Sequence, residues 1–368
     1  MLHIHILNVG QGDSIIIQYE GEEGPAFGVI DSNTFGGDPC PALTRLRSLG
    51  AERLSFVALT HPDSDHYSGL SHILKYYKDR ISTFYCFPFG IHLQGRLRKF
   101  ATIYRQLYVD SDPSIRKRYK ELIQILYLVK QYIGLENWEE PTGGFTPIAP
   151  KGFKGVDIRV LLPLPNLKGR YFDMIEAGSY DVTASNENNR LSMAFSFKYK
   201  GKQIILGGDC QEKRWFEHKR FCSRADITLL GNSVKLPHHG ADKDNSVDVI
   251  SHLFDNDDHR SAIISAGGGS HPAKGTLLRL EEKKFSPYCT NLSKYCSNIR
   301  DVDFSLSAKH DLNPRLVRFL ESCKVSNKIR PCQGDITISI NGKGHFAIDR
   351  QYENSCPRRG DFEFLRAG

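Results

Sequence analysis

The chain reads as an α/β protein, and three features predict it. Short runs rich in Ile, Val, Leu and Phe recur along its length. Segments with helical spacing lie between many of them. Several of the apolar runs stop at an aspartate or a histidine, as strands do where a sheet presents polar groups at its edge. In order, His3–Val9 predicts a strand, residues 10–13 a glycine turn, Ser14–Tyr19 a second strand and Phe27–Ile30 a third that stops at Asp31. Pro41–Leu49 predicts a helix, Arg53–Leu59 a buried strand ending at Thr60 and His61, and Gly69–Lys78 a further helix.

Residues 91–150 differ from this pattern. Leu122, Ile125, Leu126, Val129 and Ile133 recur at helical spacing. Between 91 and 133, nine basic residues (Arg96, Arg98, Lys99, Arg105, Arg116, Lys117, Arg118, Lys120, Lys130) face three acidic ones (Asp110, Asp112, Glu121), a net +6. The whole chain carries +7. The segment reads as a basic helical insertion, closed by a proline- and glycine-bearing loop at 141–150. Val156–Leu162 then predicts a strand and Ser185–Asn189 a polar loop. Ser192–Tyr199 and Gln203–Leu206 predict two strands across Lys200-Gly201, the second stopping at Gly207-Gly208-Asp209. Ile227–Leu230, Ser233–Leu236 and Ala262–Ser265 are shorter apolar runs. The stretch 276–330 reads as an irregular, cysteine-bearing insertion. Asp335–Ile340 and His345–Asp349 predict a hairpin across Asn341-Gly342.

With 368 residues, 40% apolar and 25% charged, the chain is too apolar for a disordered one and is expected to form one elaborated domain over 1–368. No run of ~18 apolar residues predicts a membrane span, and the first residues alternate like a strand rather than a leader. Nine scattered cysteines, among them Cys289, Cys296, Cys323 and Cys332, lack the tight pairs of a zinc motif and read as reduced thiols in a cytoplasmic protein.

The chemistry concentrates in His61-Pro62-Asp63-Ser64-Asp65-His66. Carboxylates and imidazoles at spacings of two cannot share one helix face. On a loop leaving a strand they can converge on one or two cations. Asp209, the tandem His238-His239 and His271 each follow another apolar run. A polar helix cap or a turn would explain any one of them; four such positions at strand ends point to one crevice outside the sheet.

These motifs resemble the metallo-β-lactamase fold and, within it, the soluble hydrolase domain of ComEC-type DNA-uptake proteins. The resemblance rests on Val9 to Asp13, Ile30-Asp31, Thr60 to Leu70, Asn189 to Ser192, Leu206 to Asp209, Val234 to Ala241, Ile264 to Pro272 and Gly334 to Ile338. It spans 1–90, 156–275 and 331–349, and implies an α/β/β/α sandwich. It also implies two divalent cations, Zn²⁺ or Mn²⁺ with Mg²⁺ also in range. His61, Asp63 and His238 would hold one, with His239 the alternative to His238. Asp65, His66 and His271 would hold the other, and Asp209 would bridge them. Asp65, His66 and Asp209 would carry catalysis, with Asp13 and Asp31 orienting ligands. This sequence departs from the wider superfamily at two places. Asp63 stands where a histidine is usual, and Asn188 or Asn189 stands at another histidine position. Oxygen ligands harden the site, which brings Mn²⁺ and Mg²⁺ into competition with Zn²⁺.

The expected activity is a metal-dependent phosphodiesterase acting on nucleic acid. Tyrosines 104, 108, 119, 127 and 132 lie among the cations of the basic segment and suit base stacking beside phosphate contacts. The membrane channel that accompanies ComEC-type domains is not in this sequence, so the expected role is a stand-alone nuclease against foreign DNA, as in an anti-phage system. Both insertions offer surfaces for a regulatory protein. Two other classes compete: a small-molecule hydrolase of a cyclic nucleotide, lactone or thioester, and a partner protein with a degenerate site.

Overall fold

The computed structural model describes residues 1–34, 39–90, 98–99, 102, 113–167, 173, 185–254, 260–267, 269–293, 295 and 332–352. Two mixed sheets lie face to face. The first contains β1 (Leu2–Ile6), β2 (Ser14–Gly21), β3 (Gly24–Ser32), β4 (Leu54–Leu59), β5 (Ile81–Cys86) and β6 (Trp138–Glu139). The second contains β7 (Thr146–Ile148), β8 (Asp157–Leu162), β9 (Ala194–Tyr199), β10 (Lys202–Leu206), β11 (Ser233–Lys235), β12 (Ser261–Ile264) and β13 (Ser286–Cys289). A last hairpin, β14 (Ile336–Ile340) and β15 (Phe346–Arg350), returns to the first sheet, whose order is β15-β14-β1-β2-β3-β4-β5-β6. The second runs β13-β12-β11-β10-β9-β8-β7. Strands β3 to β6 run parallel, as do β10 to β13.

Alternation along the strands builds the layers. Ile4, Ile17 and Phe56 of the first sheet share one buried core with Phe197 and Ile204 of the second. Ile205, next to Ile204, points the other way and joins Val234, Ala262 and Ile264 in a second core. On the outer face of the first sheet lie α1 (Pro41–Ser48), α3 (Leu70–Tyr77) and α4 (Pro113–Tyr132), the short α2 (Ser64–Tyr67) being part of the loop after β4. The short α5 (Ser185–Asn189) precedes β9. On the outer face of the second sheet lie α6 (Glu212–Ala225), α7 (Val247–Leu253) and α8 (Lys274–Glu282), which contribute Trp215, Ile250 and Leu280 to the second core. The order is helix, sheet, sheet, helix, the fold class that the strand-end pattern and the resemblance imply.

Four segments differ from the sequence expectation. Residues 276–289 are not irregular: α8 and β13 occupy them, and Pro287 fits because β13 is an edge strand. Residues 138–148 of the basic insertion supply β6 and β7, one edge strand to each sheet, so 141–150 is only in part a loop. Residues 185–189 form a helical turn. Ile227–Leu230 is no strand; it follows Asp226 in a left-handed conformation, and the Leu230 N–H donates to the Gln203 side chain instead of to a ladder. Residues 103–112 and 296–330, with Tyr104, Tyr108, Cys296 and Cys323, lie outside the described residues. Cys40, Cys86, Cys210 and Cys222 are buried free thiols, and Cys289 and Cys332 are buried as well. No helix among the described residues is long and apolar enough to cross a membrane.

Candidate metal centre

Every candidate ligand leaves the C-terminal end of a strand that has a parallel neighbour. His61 to His66 follow β4, Asp209 follows β10, His238 and His239 follow β11, and His271 follows β12. The β4 loop is held from below by Asp31 at the end of β3. The Asp31 carboxylate accepts from the Thr60 N–H (2.8 Å), from the Thr60 hydroxyl (2.6 Å) and from His66 Nδ1 (2.7 Å). Thr60 Oγ1 lies 2.9 Å from His61 Nδ1. Both imidazoles are therefore fixed through Nδ1 and turn Nε2 toward the second sheet.

The glycine turn at 10–13 closes one side. Gly12 has φ +112°, and a Cβ there would meet the Asp65 carbonyl oxygen head-on. The close approach lets the Asp13 N–H donate to that carbonyl (3.2 Å). The Asp13 carboxylate is buried against Lys235 Nζ at 2.5 Å. Burial alone would neutralise Lys235, but Asp13 and Asp209 keep its pKa above the ordinary lysine value.

On the second sheet, Ser192 Oγ accepts from the Asp209 N–H at 2.9 Å. His238 and His239 both take left-handed backbone angles, φ 49° and 52°, which non-glycine residues hold only where the surroundings enforce them. Two successive positive-φ residues send the imidazoles apart. His239 is buried, with Nε2 3.3 Å from Asp209 Oδ2 and 3.9 Å from Asp65 Oδ2. His238 points its Nδ1 at Asp244 (2.6 Å) and keeps Nε2 3.9 Å from Asp209 and 3.4 Å from Asn189 Nδ2.

Among the described residues, three triplets bring ligand atoms within 4.8 Å of one another here: His61, His66 and Asp209; Asp65, His66 and His239; and, behind them, Asp13, Asp31 and His66. His61 Nε2, His66 Nε2, both His239 nitrogens and Asp209 Oδ1 are buried with no hydrogen-bond partner. Buried polar atoms normally find partners. A set of them facing one point, at distances longer than direct hydrogen bonds, fits one or two shared cations. Asp63 lies 3.6 Å from His61 Nε2 and accepts from the Asn188 amide.

Of the residues expected from sequence, His61, Asp65, His66 and Asp209 converge directly, and Asp63 and His238 flank them. His271 belongs to none of these triplets; its ring centroid lies 5.8 Å from that of His238. His239 stands beside Asp65 and His66, where His271 was expected. The doubled histidine signalled the position but not which ring turns inward. Lys235 lies inside the Val234–Ala241 motif, but nothing in the sequence pairs it with Asp13.

The electrostatics match the geometry. Burial pushes His66 down, but Asp209 and Asp31 overcome it and hold the imidazole well above its ordinary value. Burial pushes Asp209 up, but His239 and His66 hold it well below the usual carboxylate range. Burial and the nearby His239 and His238 bring His271 down to about 4. The donor set is imidazole nitrogen and carboxylate oxygen, suited to Zn²⁺ or Mn²⁺.

No protein-family model and no curated protein matches the sequence. Solved structures are similar at low identity. The E377D mutant of CmlA beta-hydroxylase matches at 9% identity and TM-score 0.40, over 79% of this chain and 52% of that one, so the chain spans about half its length. Tm1679, a metal-dependent hydrolase of the beta-lactamase superfamily, matches at 11% identity and TM-score 0.42, over 80% and 96%. Unliganded yeast PDE1 matches at 10% identity and TM-score 0.41, over 78% and 98%.

Proposed function

We propose that the protein is a metal-dependent phosphodiesterase that cleaves nucleic acid, with DNA as the substrate. The observation that carries this is the convergence of unpaired His61, His66 and His239 nitrogens on Asp209, beside a basic helix. Helix α4 buries Leu122, Ile125, Leu126 and Val129, packs on α3 and touches α2 in the metal loop. Its Lys117, Lys120 and Lys130 stay exposed, as does Tyr127. A cationic helix next to the ligand loop suits a polyanion whose scissile phosphate must reach the strand ends.

In this reading Asp65, His66 and His239 would hold one cation. His61 and Asp63 would hold the other, aided by Asn189, and Asp209 would serve both. Bound cations at such a site polarise a phosphoryl oxygen and acidify water. The chain supplies the rest. Asp31 fixes the proton of His66 on Nδ1, which leaves Nε2 free as a donor atom. Lys235 neutralises Asp13 and orders the turn that backs Asp65. His238, hydrogen-bonded to Asp244, stands at the rim of the site with its pKa raised, burial opposing and Asp244 and Asp209 prevailing. There it can give a proton to a departing oxygen.

The test is cleavage of linear and circular DNA with Mn²⁺, Mg²⁺ or Zn²⁺, comparing wild type with Asp65→Ala/His66→Ala. Metal-dependent cutting lost in the double variant supports the reading, and nicking of the circle makes it an endonuclease. A protein that binds metal yet cuts neither form, while hydrolysing a cyclic nucleotide, lactone or thioester, overturns it. A defensive role against foreign DNA predicts lower host viability on overexpression of wild type than of the double variant.

A further inference from the structure

On the outer face of the second sheet, helices α6 and α7 place a second ligand set away from the strand ends. His218 and Cys222 are one turn apart on α6, and His252 faces them from α7. Their three ligand atoms lie within 4.8 Å of one another. His218 Nδ1 is 3.0 Å from His252 Nε2 and 3.6 Å from Cys222 Sγ. A tetrahedral zinc with Zn–S of ~2.3 Å and Zn–N of ~2.0–2.1 Å puts sulfur and nitrogen roughly 3.6 Å apart and two nitrogens roughly 3.3 Å apart. The observed lengths are close to these, and because Sγ also lies 3.7 Å from His218 Nε2, an ion on Nδ1 requires the Cys222 side chain to turn toward that lone pair.

The surroundings favour a ligand role. His218 Nε2 donates to the Gly144 carbonyl at 3.0 Å, the outer contact that metal-binding histidines commonly make and one that leaves Nδ1 with a lone pair. His218 and Cys222 are buried, and the Trp215 ring stands edge-on to His218 at 5.8 Å. A dry thiol beside two neutral imidazoles is a soft, nitrogen-rich donor set that suits zinc better than magnesium or calcium.

We infer that His218, Cys222 and His252 form a zinc site, separate from the strand-end cluster, that ties α6 to α7. On binding, Cys222 releases its thiol proton to solvent. His252 moves its proton from Nε2 to Nδ1 through solvent and stays neutral. His218 keeps its proton on Nε2, and water completes the four ligands. The site braces the other one. Helix α6 starts three residues after Asp209, and α7 follows the loop that carries His238, His239 and Asp244.

Cobalt tests this, because a thiolate bound to Co²⁺ absorbs in the near ultraviolet and the strand-end cluster offers nitrogen and oxygen only. Metal-stripped full-length protein is titrated with Co²⁺. The expected result is a sulfur-to-cobalt band saturating at one equivalent, present in wild type and in Asp65→Ala/His66→Ala. It falls at least tenfold in Cys222→Ser, and zinc displaces it. His252→Gln, at a half-exposed position, repeats the loss should Cys222→Ser fail to fold. No band in folded wild type, or a band that survives both substitutions, overturns the proposal. So does uptake of copper without zinc. None of these outcomes depends on what the strand-end site hydrolyses.

Discussion

Two histidine clusters share this molecule and are built in opposite ways. At the strand ends, His61 and His66 are anchored through Nδ1 by Thr60 and Asp31 and leave Nε2 buried and unpaired. On the helices, His218 and His252 bond to each other, and His218 also to a backbone carbonyl. The first cluster is crowded with carboxylates, which hold His66 above its ordinary pKa against burial. In the second, burial dominates and brings both His218 and His252 down to about 4. The difference separates two uses of imidazole. Carboxylates around unpaired nitrogens create a demand for positive charge that divalent cations meet. Paired, neutral imidazoles cost little without an ion and gain one only by giving up a thiol proton.

The largest expected effect breaks the symmetry of the comparison. Asp209→Ala removes the carboxylate common to His66 and His239, and nucleic-acid cleavage should fall by at least about 10³-fold. The cobalt signal of the helix cluster should stay intact; its loss as well would show that the two clusters are not separate. Next in size is metal removal. An ion bound only by the folded chain stabilises it by about 2.7 kcal/mol at a hundredfold excess over its Kd. Chelation should therefore lower the melting temperature of wild type and lower it less in His66→Ala. An equal drop in both would place the stabilising ion elsewhere.

Asp31→Asn sharpens the anchoring argument. It keeps the size of the side chain but weakens its hold on His66 Nδ1. Metal affinity measured by competition should drop about 10- to 100-fold, and unchanged affinity would show that Asp31 orients nothing. The smallest effect uses an imidazole outside both clusters. His5 sits between Thr337 and Gln18, and burial brings it from 6.5 to about 4. The unfolded chain binds this proton below about pH 6.5 and the folded chain only near 4. Stability should fall across that window as pH drops, by roughly 2 kcal/mol. His5→Gln should flatten the slope in urea titrations at pH 7 and pH 4.5, and an equal slope in the variant would place the titrating groups elsewhere.

Much of this was legible in the sequence, for a physical reason. Strands that end at Asp31, His61 and Asp209 declare both the fold class and the edge where ligands gather, because the switch from apolar to polar is written residue by residue. Backbone handedness is not written that way. The pair His238-His239 reads with His238 as the ligand and His239 as its alternative, until two positive φ angles turn His239 into the cluster and His238 toward Asp244. Strand β13 hid behind Pro287, since an edge position cannot be inferred locally. The pairing of Lys235 with Asp13 joins residues far apart in sequence, as does the approach of His252 to His218. The four-residue spacing of His218 and Cys222 stands in the sequence, but nothing there singles it out from ordinary helix positions.

The pairing of β1 with β14, Leu2 opposite Ile340 and Ile6 opposite Ile336, has a consequence for synthesis. A ribosome that has reached residue 300 has made every ligand of the strand-end site. It has not made the strand that covers β1. Until residues 336–340 emerge, β1 is an open apolar edge, available to any other unfinished chain. Strand β1 is thus made long before its second neighbour. Such a chain should depend on chaperones during translation, and shortening its C-terminal hairpin should send it into inclusion bodies before it alters any ligand.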